Sequence, residues 1–177
     1  RMIRAALLCM ALALPAAAGE VPDPGEVIDR AMQRSAEDDL EGSYEALAEG
    51  LQAARNAGDL APDWGIVFAM MADAVRNLRE NPAYALMLAE EGLAVVAPNA
   101  AEAQDVIAIL NVSRSYALAD LGRTAEAAAV GRMAEPQLRA AMGDKIADDY
   151  LVEIAAWEKG SATVESGVSP MGLARRS

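Results

Sequence analysis

The chain has no histidine. Ser-His-Asp and Cys-His relays, the H-E-x-x-H zinc site and histidine-ligated haem each need an imidazole, so all are excluded. The single cysteine, Cys9, lies in an apolar N-terminal run. The domain that follows therefore has no disulfide and no thiol chemistry, and depends on packing alone. Neither G-x-x-x-x-G-K-[ST] nor G-x-G-x-x-G occurs. The residues call for no nucleotide or other cofactor, for no metal, and for no enzymatic centre. Aromatics are scarce too, at 4% of residues against 54% hydrophobic. The apolar content is thus mostly Ala, Leu, Val, Ile and Met, with good helix formers dominant and no sustained period-two alternation. The expected fold is all-α.

Residues 1–18 carry the features of an export signal. Arg1 and Arg4 precede the apolar run Ala5 to Leu14, Pro15 breaks it, and Ala16-Ala17-Ala18 supplies an A-x-A cleavage pattern before Gly19. The run is too short for a bilayer, which needs about 20 residues. Cleavage after Ala18 would give a periplasmic or secreted protein with no integral membrane segment. It would also remove two arginines and no acid: the net charge of −12 becomes −14, with 13 cationic residues against 27 acidic. Such a chain is repelled by nucleic acid and anionic membranes and favours basic partners.

Turn signals divide the rest. Pro24 suits the first turn of a helix reaching about residue 34, and Gly58 closes a second over 41–57. Pro62 opens a third over 62–80. Asn81-Pro82 starts a fourth that Pro98 ends, and Asn99 with Glu102 forms a capping-box-like start to a fifth. Gly122 stops the fifth, Thr124 caps a sixth, Gly143 ends it, and Asp144 caps a seventh that runs to Gly160. Trp64, Val67, Phe68, Met71, Val75 and Leu78 make one apolar stripe on the third helix. Ile146, Tyr150, Ile154 and Trp157 do so on the seventh, with Asp148, Asp149 and Glu153 on its other face. Pro136 falls inside the sixth helix and predicts a bend or break near Glu135. Residues 161–177 have no stripe and several breakers, and read as a flexible tail.

The pattern repeats. "LAEGL" at 47–51 returns as "LAEEGL" at 88–93, with Gly50 and Gly92 in register, and the turn at 39–46 has counterparts at 77–85 and 120–127. "LADLGRTAEA" places Gly122, Glu126 and Ala127 at a turn glycine and a Glu-Ala helix opening. Phe68, Met71, Ala72 and Val75 follow a large-large-small-large order, and Ala85, Ala89, Gly92, Leu93 and Pro98 fit the partner helix and its closing proline. These residues resemble the tetratricopeptide repeat family. The resemblance spans about 24–160 as three hairpins plus a closing helix, although the spacing exceeds that family's roughly 34 residues. Asn111 and Arg114 also stand where large apolar residues are usual.

The resemblance implies a right-handed α-α superhelix whose concave face, lined by the first helix of each hairpin, holds a protein or peptide segment. The polar and aromatic candidates there are Asp73, Arg76, Asn77, Arg114, Tyr116 and Asp120. An accessory envelope subunit without such a groove is the second reading. A carboxylate-only enzyme acting on glycans is the third, and it would need paired acids deep in a cleft. The acids Glu37, Asp38, Asp39 and Glu41 lack calcium-loop spacing and suit a helix start.

Overall fold

A computed structural model describes residues 21–58 and 60–161; the leader at 1–18 and all but Ser161 of the 161–177 tail lie outside them. Every regular element among the described residues is helical. They are α1 (Pro24–Ala36), α2 (Leu40–Ala57), α3 (Gly65–Leu78), α4 (Pro82–Val96), α5 (Gln104–Asp120), α6 (Thr124–Met142) and α7 (Asp144–Glu158), with short 3₁₀ turns before α3 and after α4.

Consecutive helices pack as antiparallel neighbours, and α3 also lies against α1 and α5. The first helices of the three hairpins end at Ala36, Leu78 and Asp120, and their partners begin at Leu40, Pro82 and Thr124. Both landmarks therefore recur every 42 residues. The residue in the middle of each connecting turn is left-handed: Asp38 at φ 62°, Glu80 at 48° and Gly122 at 76°. At Gly122 the turn is a Schellman motif. Gly122 N–H donates to the Ala119 carbonyl and Arg123 N–H to the Leu118 carbonyl, both at 2.9 Å. Asp38 and Asp39 make the same two bonds to Ser35 and Arg34. Glycine fits this geometry freely, whereas a side chain is crowded by the following carbonyl.

The starts of the second helices follow the same register. Asp39 caps α2 by accepting from Gly42 N–H at 2.9 Å, and Asn81 caps α4 by accepting from Tyr84 N–H at 3.1 Å. The third equivalent, Arg123, has no capping side chain. Thr124 is thus the first residue of α6 and not its cap, and Asp144 likewise begins α7 after Gly143. Asn99 does not start α5 either. It ends a 3₁₀ turn, its carbonyl accepts from Glu102 and Ala103 N–H, and α5 begins at Gln104.

Gly50 and Gly92 mark close crossings. A Cβ on Gly50 would meet Val27 Cγ2 at 2.6 Å, and one on Gly92 would meet Leu110 Cδ2 at 2.6 Å and Phe68 Cβ at 2.7 Å. The small residue lets each second helix press against its neighbours. Pro136 does not break α6, which runs unbroken from Thr124 to Met142. Ala134 and Leu138, on either side, are fully buried, and Arg139 ties this half of α6 to α7 through Asp144 and Asp148, both at 2.8 Å. Tertiary packing outweighs the local penalty of about 3 kcal/mol for an interior proline.

Candidate functional site

Four of the six candidate residues meet in one seam between α3 and α5. Asp73, on the inner face of α3, is completely buried and accepts from Ser113 Oγ at 3.3 Å. One turn on, Arg76 is 6% exposed. Its guanidinium donates to Asp120 Oδ2 at 3.4 Å and stands 4.7 Å over the Tyr116 ring. The spacing of three and four residues along each helix brings these groups to one side, so a single face of α3 meets a single face of α5.

The other two lie differently. Arg114 turns toward α4 and pairs with Glu90 at 3.5 Å, with about a third of its side chain exposed. Asn77 stays half-buried near the end of α3.

The seam continues into α7 as an aromatic cluster. Tyr116 meets Trp157 edge-on, with centroids 5.2 Å apart at 90°, and Tyr150 at 5.8 Å. Ser115 Oγ donates to the Val112 carbonyl at 2.7 Å and lies 2.5 Å from the Tyr150 hydroxyl. A serine has one proton to give, so here Tyr150 is the donor to Ser115.

Glu153 sits at the base of this cluster with no exposed surface, a correction to its expected place on the polar face of α7. The signal was present in the spacing: Glu153 is three residues after Tyr150 and four before Trp157, so it shares their face. Burial raises the hydroxyl pKa of both Tyr116 and Tyr150 above the ordinary tyrosine value, and the Glu153 charge adds to it in each case. Arg76 Nε and Trp157 Nε1 are buried with no hydrogen-bond acceptor among the described residues.

Chemically, the seam sets one guanidinium, of Arg76, against the carboxyl groups of Asp73, Asp120 and Glu153. Arg76 pairs with Asp120, Asp73 accepts from Ser113, and the Ser115 and Tyr150 hydroxyls and the three rings link α5 to α7. The acids at 37–41 have local roles: Asp39 caps α2 and pairs with Arg34, and Glu41 pairs with Arg79.

Among the described residues, two grooves bear on the site. One, of about 340 Å³, lies between α1 and α2 and is lined by Arg30, Arg34, Glu41, Glu45 and Glu49. The other, of about 570 Å³, lies between the start of α5 and the second half of α6. No helix among the described residues is long and apolar enough to cross a membrane.

Fold and seam together define an all-α chain of three helical hairpins and a closing helix. No protein-family model matches it, nor does any curated protein or any solved structure.

Proposed function

We propose that this chain is an exported, tetratricopeptide-like scaffold that holds a segment of a partner protein. The observation that carries the reading is the 42-residue recurrence of helix ends, left-handed turn residues and helix starts over three hairpins. Stacked hairpins of one design bury their faces against one another and leave extended surfaces, which is how helical repeats serve as binding platforms. The acidic balance of the chain supports a basic partner, drawn in by long-range attraction. The recurring first helices support a superhelical stack. In that stack Asp73, Arg76, Tyr116 and Asp120 position the second and third hairpins, and Arg114 joins them through Glu90.

The test is affinity capture of the tagged full chain from a cell-envelope extract, with crosslinking before lysis. A basic protein should be retained at low salt and released as salt shortens the screening length toward about 8 Å and below. Intact mass of the recovered chain should begin at Gly19. Failure to retain any protein above a tag-only control would reject the scaffold reading, and a mass that includes residues 2–18 would reject export.

A further inference from the structure

We propose that the groove walled by Pro136 is where this scaffold docks its partner, and that the docked element is a basic protein segment carrying small aliphatic side chains; the inference rests on the scaffold reading above. The groove's volume of about 570 Å³ lies within the roughly 300–1,000 Å³ of ligand pockets. Its α6 side is largely apolar, with Pro136, Ala140 and Ala141 beside Gln137, and its α5 side carries Glu102, Gln104 and Asp105. Neither acid has a cationic partner among the described residues. Asp105 accepts from the neighbouring Val106 N–H, at 2.9 Å.

The α6 side of the groove also favours a cation. It lies in the last turns of a helix, the negative end of the dipole, and Arg139, the basic residue in that turn, is already engaged by Glu135, Asp144 and Asp148. Pro136 adds an independent feature. Its ring is rigid and exposed, and it lines the groove beside Ala140 and Ala141. The α1–α2 groove differs in kind, because Arg30 and Arg34 line it beside the acids. An apolar side and two carboxylates suit a lysine or arginine flanked by leucine or alanine.

The experiment uses the full chain and a short fluorescein-labelled peptide of leucine, alanine and arginine, with its glutamate-for-arginine counterpart as control, read by anisotropy. The arginine peptide should bind and the control should not. Glu102→Lys with Asp105→Lys should weaken binding by about tenfold or more, whereas Glu45→Lys with Glu49→Lys, the same charge change on α2, should alter it less than about twofold. All four sites are on the surface, so the fold should survive each change.

Pro136→Ala restores the N–H and should raise Tm while lowering affinity several-fold, a pairing that a purely structural proline would not produce. Equal weakening by both charge reversals would mean attraction by the whole acidic surface, and would overturn the site. Binding that appears only after residues 162–177 are removed would assign the groove to the chain's own Arg175-Arg176 end, and dimerisation abolished by the Glu102/Asp105 variant would assign it to a second copy; both outcomes overturn the proposal. If the captured envelope partner binds the groove variants normally, the site fails while the scaffold reading stands.

Discussion

The junction between the first and second hairpins and the junction between the second and third occupy equivalent places in the repeat, yet they are sealed by opposite means. Ala31 in α1, Asp73 in α3 and Ser115 in α5 stand 42 residues apart, and all three are fully buried. At the first junction the buried position is apolar, and charge stays at the rim. There Arg79 pairs with Glu41 and lies 4.3 Å over the Tyr44 ring with its side chain 41% exposed. At the second junction the charge is inside, with Asp73, Arg76 and Asp120 between the helices. A similar contrast holds at the next position, where Met32 is 58% exposed and Tyr116 only 5%. Tyr116 is covered because Arg76 and Trp157 close over it. The same backbone plan thus accepts either an apolar joint or a polar one. The polar joint costs desolvation, and its Arg76–Asp120 pair and Ser113–Asp73 bond tie α3 and α5 to one alignment.

The sharpest way to break this comparison is to remove the arginine at each joint. Arg76→Ala should destabilise the chain by about 3–5 kcal/mol, since it leaves the largely buried Asp120 carboxylate without its counter-charge. Arg79→Ala, at the exposed joint, should cost less than about 1 kcal/mol. Urea midpoints of the two variants measure the difference, and similar losses would contradict it.

Glycine at the helix crossings should rank next. Gly92→Ala, against Leu110 and Phe68, and Gly50→Ala, against Val27, should each cost about 1–3 kcal/mol by overpacking. Gly92 should be the more sensitive, because it is confined from two helices.

A third test uses pH. Tyr116 and Tyr150 keep their protons in the folded chain above the usual tyrosine range, while an unfolded tyrosine ionises near about 10. Below that pH the two states hold the same protons and stability is unaffected. Above it the unfolded state loses protons first, so stability falls as pH rises. Urea midpoints should decline from about pH 10 upward. The decline should be shallower in Tyr116→Phe, which leaves the apolar first joint untouched.

The smallest effects belong to the turns. Glu80→Gly relieves a side chain held at φ 48° and should stabilise by under about 1 kcal/mol, the gain being offset by added unfolded-state entropy. Gly122→Ala, at φ 76°, should destabilise by about 1 kcal/mol. Thermal melts of the pair should move in opposite directions.

Local chemistry accounts for the helices. Pro24 and Pro82 open α1 and α4, Gly58 and Gly122 close α2 and α5, and Asn81 caps α4, each through a bond or dihedral that a few neighbouring residues determine. The repeat was visible in Gly50 and Gly92 for the same reason, since a small residue recurs wherever a helix must come close. The candidate site was legible only in part. Periodicity identifies which residues share a face, but not what that face meets. Asp73, Arg76, Tyr116 and Asp120 could be named as polar or aromatic groups on first helices. That they close on one another, while Arg114 turns to Glu90, depended on how α3, α4 and α5 are placed.

The sequence by itself determined seven helices, most of their proline and glycine boundaries and a 42-residue rhythm, because propensity, proline and glycine act within a turn or two of chain. Tertiary structure alone decided that Glu153 lies beneath two tyrosines, that α6 runs unbroken through Pro136, and that one hairpin joint is apolar and the next is charged. Those outcomes depend on desolvation and packing between segments far apart in the chain, and such energies exist only once the helices are brought together.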